Sequence, residues 1–499
     1  MMKRALLLLS LLAVPCVLTS YMAEAAPSTD TATTTVSPLD KICQYWGGSD
    51  KEINILRAGY KGDTATLESL KDKKHIGIYC TGAAAAGNKE LVLQCLDKGA
   101  DPDWGLAGAA YGGHVEIVEL LLSKGADPSV GLRGAALGGH MDIVRLLFSK
   151  GATDYFGGLY HAAWGGHMDI VQLMLNKGAN PNEGLRGAAR GGHMDIAQLM
   201  LNKGAHPSEG LYYAAFGGHM DIVQLLLSKG ADPNEGLEGA AMGGHMDIVQ
   251  LMLSKGATDY NRGLEGAAWG GHMGIVQFML SKGATNYNRG LEGAARGGHI
   301  AIVQLMLSKG ATDYGWGLYY AADGGHMDII QLLLSKGATD YNRGLESAAR
   351  GGHIAIVQLI LDKGADPDAG LQSAVRGGHM DILQLLLDKG ADPDKGLGDA
   401  AWGGHMGIVR LLLDKGATNY NDGLNGAARG GHIAIVQLML SKGATDYGWG
   451  LLWAARGGHM EIVKLMLSKG ATNLDSALDA AELNGHTECA ELIRAAMKK

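Results

Sequence analysis

The sequence predicts an all-α solenoid of about 17 helix-turn-helix units, on three observations. Gly-Gly-His recurs with its histidine at 114, 140, 167, 193, 219, 245, 272, 299, 326, 353, 379, 405, 432 and 459, always at a spacing of 26 or 27. The 499 residues hold 78 glycines, far above the usual ~7 %, without the G-X-Y period of collagen. Between the histidines, apolar residues fall at helical spacing in two short segments per unit. A fixed period of this length marks a solenoid, in which each unit buries its apolar face against its neighbours.

The N-terminus reads as an export signal. Lys3 and Arg4 precede the apolar residues 5–18, and Ala23-Glu24-Ala25 supplies small residues at a cleavage site, so residues 1–25 are expected to be a signal peptide. The apolar stretch is short for a ~30 Å hydrocarbon layer, and no membrane insertion is expected after cleavage. Residues 26–38, rich in Ser, Thr and Pro, read as a disordered linker. Residues 39–80 are expected to form an irregular N-terminal cap with a degenerate first repeat around Lys61-Gly62-Asp63. The repeat stack then covers 81–470, and a more polar capping repeat covers 471–499.

Residues 288–310 illustrate one unit. Asn288 stands where an N-cap is expected, eleven residues before the histidine, a place filled by Asn, Asp or Ser in 12 of 15 units; Phe156, Gly315 and Gly448 are the exceptions. Leu291, Ala294 and Ala295 give a short first helix, which Gly297-Gly298 ends. The second helix starts near His299 with the stripe Ile302, Val303, Leu305, Met306 and Leu307, and closes at Lys309-Gly310. The second residue after the histidine is acidic in 10 of 15 units, which suits the positive end of a helix dipole. Helices this short are unstable alone, so stacking must hold them. Pro-type links such as Ala126-Asp127-Pro128 give the spacing of 26, and Thr-type links such as Ala257-Thr258-Asp259-Tyr260 give 27.

The run A-A-x-G-G-H-x-x-I-V-x-L-L-L-x-K-G-A-D at residues 109–127 and 214–232 resembles the ankyrin repeat, and the likeness extends over about residues 54–499. Two departures stand out. The units are shorter than the ~33 residues of that repeat, and Gly-Leu-x-Gly replaces Thr-Pro-Leu-His at the opening. The short links leave no room for a projecting β-hairpin, so an ankyrin-like stack with shortened or absent fingers is expected. The resemblance implies a non-enzymatic scaffold for protein–protein interaction, with the histidine hydrogen-bonded in the turn.

Chemistry finds little support. A charge of −8, from 43 basic and 51 acidic residues, disfavours nucleic acid. No P-loop, G-x-S-x-G or H-E-x-x-H motif occurs, and no cofactor is expected. Fifteen of 18 histidines share one repeat position, so adjacent ones lie about one helix layer, ~10 Å, apart, too far to share a zinc with bonds of ~2 Å. Cys43, Cys80, Cys95 and Cys489 fit buried small hydrophobes; in an oxidising compartment a Cys43–Cys80 or Cys80–Cys95 bridge is the other reading.

Positions that escape the repeat are the candidates for function. Three residues before each histidine the series runs Tyr111, Leu137, Trp164, Arg190, Phe216, Met242, Trp269, Arg296, Asp323, Arg350, Arg376, Trp402, Arg429 and Arg456, and 11 of 14 are aromatic or Arg, the residue types of interface hot spots. By the resemblance this position lines a concave binding face, which Tyr160, Tyr212, Tyr319 and Leu452, then Tyr213, Tyr320 and Trp453, extend. The stems of these side chains could equally cover the Ala- and Gly-rich first helix. Tyr155, Tyr260, Tyr287, Tyr314, Tyr341, Tyr420 and Tyr447 sit on the links, where they would fill the space of the missing finger; a recognition edge is the other reading. A Gln ladder from Gln172 onward faces solvent. The expected function is an exported or periplasmic, monomeric scaffold for a protein partner, either host-directed or in the envelope. The alternatives are a structural or elastic envelope spacer, and an enzyme built around Cys43 and Trp46.

Overall fold

The structure, a computed structural model, describes residues 39, 42–43, 50–70 and 73–498. The expected signal peptide, the linker and Trp46 lie outside the described residues. The chain divides into two compact units, Met1–Thr312 and Asp313–Lys499. Among the described residues the first holds ten helix pairs, from Asp50–Lys61 with Thr64–Ser69 to Tyr287–Gly297 with Ile300–Lys309. The second holds seven, from Tyr314–Gly324 with Met327–Ser335 to Leu474–Leu483 with Thr487–Met497. No strand occurs among the described residues. The fold is an all-α solenoid of stacked helix pairs without β-fingers among the described residues, as the ankyrin resemblance implies. Residues 50–69 form a helix pair, and the boundary expected at residue 80 falls inside the helix Lys73–Ala85.

The core follows the predicted pattern. In the unit around His299, Leu291, Ala294, Ala295, Val303 and Met306 are fully buried, while Leu305 and Leu307 are only half-buried and the Gln ladder is largely exposed. The first helices run 9–11 residues in the histidine-bearing units and end at a left-handed glycine such as Gly113 (φ 80°).

The N-cap lies two residues earlier than expected. Asn286 caps the helix Tyr287–Gly297 and accepts from Arg289 N at 3.2 Å. Asn288 lies within the helix, and its Oδ1 accepts from Thr312 N at 2.8 Å, in the following link. The same bond joins Asn261 to Thr285 and Asn286 (both 2.9 Å) and Asp394 to Thr418 (2.6 Å). The recurring Asx position is therefore a latch between successive units rather than a cap. A residue-by-residue pattern could not separate the two, because both functions ask for a short oxygen acceptor near a helix start. The link types differ accordingly. Asp101 caps from just before Pro102 and accepts from Asp103 N at 3.0 Å. Asp154 caps from just before Tyr155 and accepts from Gly157 N at 3.0 Å. Proline and tyrosine occupy the same first helical position, so the extra residue of the long link is the threonine.

We expect Asn234→Ala, which removes the acceptor of Thr258 N (2.9 Å) and Asp259 N (3.0 Å), to cost about 1 kcal/mol, the net worth of an ordinary hydrogen bond. Gly315→Asn should gain a comparable amount by supplying the absent latch. Denaturant midpoints check both, and equal midpoints for wild type and Asn234→Ala would refute the latch.

The histidine binds across layers, not within its own turn. His140 Nε2 donates to Tyr111 O at 3.0 Å, His299 to Trp269 O at 3.0 Å and His459 to Arg429 O at 3.1 Å. A carbonyl only accepts, so Nε2 carries the proton. The histidine caps the second helix with its backbone alone. Where Asp63 and Asn88 replace it, the side chain caps its own helix, from Thr66 N and Leu91 N respectively. Both glycines of Gly-Gly-His surround this imidazole. A Cβ on Gly112 would lie 2.7 Å from the ring of His114, and one on Gly113 2.5 Å from the ring of His140 in the next unit.

The structure holds no Cys43–Cys80 or Cys80–Cys95 bridge, the second of the two readings of these residues. Cys43, Cys80, Cys95 and Cys489 are buried thiols. A hydrogen bond with Cys95, together with burial, pushes the Cys80 thiol well up, which keeps it protonated. The last helix pair is more polar, with Leu483 86 % exposed and Arg494 paired to Glu482 at 2.5 Å.

Candidate partner-binding face

In the first helices of the Gly-Gly-His units, the Leu eight before the histidine, the residues five and four before it (Ala, or Val375) and most Gly positions are committed to packing between layers. What remains are the residues ten, seven and three before the histidine, joined at six before it by Tyr213, Tyr320 and Trp453. Their spacing of three and then four places them on one helical stripe.

In the first unit the stripe is partly consumed by packing. Tyr111, offered by the sequence as a binding residue, is buried, and burial pushes its hydroxyl up to about 12. Leu137 and Met242 are buried as well. Tyr160, Trp164 and Arg190 come together: the Arg190 guanidinium lies 4.2 Å from the Trp164 ring and donates to Tyr160 Oη at 3.1 Å. Tyr212 stacks on Phe216 with ring centroids 6.4 Å apart, and burial raises the Tyr212 hydroxyl far above its usual range. Arg296 lies 4.1 Å from the Trp269 ring. Tyr160, Trp164, Arg190, Tyr212, Phe216, Trp269 and Arg296 are half-buried rather than projecting.

The second unit exposes more of the stripe, including Arg350, Arg376, Trp402, Arg429 and Arg456. Arg350 donates to Tyr319 Oη at 2.6 Å and pairs with Asp323 at 3.0 Å. Burial disfavours its charge, but these two partners outweigh it and raise its pKa. Arg376 pairs with Asp399 at 3.2 Å. Trp402 is 37 % exposed, and Arg429 lies between it (4.9 Å) and Trp453 (5.2 Å). Arginine over an aromatic face is attracted by the ring quadrupole while its N–H edge stays available.

Sequence reading missed the position ten before the histidine. It carries Trp316 (39 % exposed), with Arg343 4.5 Å from its ring, and Trp449 (50 % exposed). In the first unit it carries ions that pair with the position seven before the histidine in a neighbouring repeat: Arg262 with Glu238 at 2.7 Å, Arg289 with Glu265 at 3.1 Å, and Glu209 with Arg186. Continuing the helical period back from the tyrosines seven before the histidine would have found it.

Among the described residues, no group of three or more His, Cys, Asp or Glu is arranged to hold a metal, and no helix is long and apolar enough to cross a membrane.

The family model described as "Ankyrin repeats (3 copies)" matches residues 109–184, 159–236, 291–371, 345–423 and 424–498, more than half of the sequence. The chain belongs to the ankyrin-repeat family, whose repeats build scaffolds for protein–protein interaction, generally without catalysis. A comparison with curated proteins finds no match.

Proposed function

We propose that this chain is an exported, non-enzymatic scaffold that docks a protein partner on its first-helix stripe. One observation carries the reading: exposed Arg and aromatic side chains recur in register on a helix face whose other positions are committed to packing between layers. Preformed Arg–aromatic pairs lose little side-chain freedom on binding, and Trp, Tyr and Arg dominate hot spots. Export rests on the basic, apolar and small-residue pattern of residues 1–25. N-terminal sequencing of the mature protein should begin at Ala26, and a mature chain that retains Lys3 and Arg4 would overturn it.

The partner test is crosslinking followed by pull-down from the native compartment, with wild type beside Arg350→Ala/Arg376→Ala/Trp402→Ala. All three side chains are exposed, so the variant should fold. We expect specific partners to fall by tenfold or more, on the scale of about 1–2 kcal/mol per hot-spot residue. An unchanged partner profile would favour a structural spacer, for which near-identical units suffice.

A further inference from the structure

The cations of the second unit's stripe are not equivalent. Arg350 and Arg376 are already answered by Asp323 and Asp399. Arg429 and Arg456, on two successive layers, have no carboxylate partner among the described residues. They are held by indole faces instead: Arg429 between Trp402 and Trp453, and Arg456 5.6 Å from Trp453. Both guanidiniums are exposed. Trp449, Trp453 and Arg456 follow one another along one face of the helix Tyr447–Gly457.

We infer that this Trp–Arg–Trp–Arg ladder is a docking site for an acidic, extended peptide segment of the partner, a reading that rests on the scaffold function proposed above. In a chain of net charge −8, two adjacent exposed cations without counter-ions form a local complement to negative charge. Attraction to the indole faces holds each guanidinium near the rings, and its N–H groups, answered by no carboxylate among the described residues, remain for the planar, bidentate pairing that carboxylates accept. Successive layers lie ~10 Å apart, and an extended peptide advances ~3.3 Å per residue. Two carboxylates three residues apart therefore meet Arg429 and Arg456 together. The indole rings of Trp402 and Trp449 lie beside this path for apolar side chains between or beyond the acids. A nucleic acid strand is the less favoured polyanion, because its continuous phosphates would also meet the carboxylates of Asp399 and Asp422 on the same helices.

The test is fluorescence polarisation with the full mature chain and a labelled synthetic peptide carrying two glutamates separated by two residues. Controls are its Gln counterpart, a version with adjacent glutamates and a single-stranded oligodeoxynucleotide. We expect the spaced glutamate peptide to bind best, to weaken with added salt, and to lose about tenfold per guanidinium removed in Arg429→Gln and Arg456→Gln. Circular dichroism of the variants confirms that they are folded. Equal binding of the Gln peptide, equal binding by the double variant, or preference for the oligonucleotide each overturns the inference. If display panning on wild type yields non-acidic peptides that are lost in Arg350→Ala/Arg376→Ala/Trp402→Ala but kept by the double Gln variant, the acidic site is refuted and the scaffold reading stands. If no peptide and no partner is retained at all, both fall.

Discussion

Gly113→Ala is expected to destabilise the first unit by about 3 kcal/mol, whereas Gly125→Ala costs about 1–2 kcal/mol. Both glycines are left-handed, at φ 80° and 92°, so both substitutions carry backbone strain. Only Gly113 faces an obstacle: its added Cβ would sit 2.5 Å from His140 Cε1, whereas nothing lies within 4 Å of the position at Gly125. The ring cannot simply move, because Nε2 is tied to Tyr111 O at 3.0 Å. Denaturant unfolding of the two single variants measures the difference. The double variant Gly113→Ala/His140→Ala should then show a coupling of at least ~1 kcal/mol, since the second change removes what the first collides with. Additive losses would mean that the imidazole does not lock the layers.

Acidification is expected to weaken the first unit through its buried and half-buried imidazoles. Burial lowers the pKa of His161 to about 4, and lowers those of His167, His219 and His272 as well. In the unfolded chain these groups titrate near ~6.5. Between about pH 6.5 and 4 the unfolded state therefore binds more protons than the folded state, and stability falls as pH falls. The contribution is fully present above pH ~6.5 and is lost on the way down to ~4; for His161 alone it amounts to about 3 kcal/mol. Thermal melts from pH 7.5 to 4.5 measure the slope. His161 stands where Gly108, Gly134 and Gly187 stand in other units, so His161→Gly keeps a residue the fold already uses and should flatten the slope. Burial raises the carboxyls of Glu238 and Asp103, which favours the folded state in acid. A wild-type stability that is flat or rising towards pH 4.5 would show that those groups win.

Much of the fold was legible in the sequence. The repeat count, the two helices per unit, their apolar stripes and the missing fingers all follow from strict periodicity, because a unit with this little apolar surface has nothing but its neighbours to pack on. The helix caps were placed wrongly at Asn288 and its equivalents, because an oxygen latching the next link and an oxygen capping its own helix look alike along the chain. The histidine was assigned to its own turn for the same reason. Its true acceptor lies 29 or 30 residues back, and no local pattern reports a partner at that distance.

The candidate face was only half legible. The variable Arg and aromatic positions stood out against a fixed background, and most of them do lie on one stripe. Their sequence cannot tell Tyr111, buried near the N-terminal end of the stack, from Trp402, which is exposed. Nor could it show that Arg376 is neutralised while Arg429 is held between two indoles.

By itself the sequence determined the period, the short helices and their apolar faces, because those depend on residues a few positions apart within one turn or one unit. Tertiary structure alone decided which polar groups tie one layer to the next and which arginines keep a free edge. Those outcomes depend on atoms brought together from different units, where distance and burial, not residue type, set the interaction.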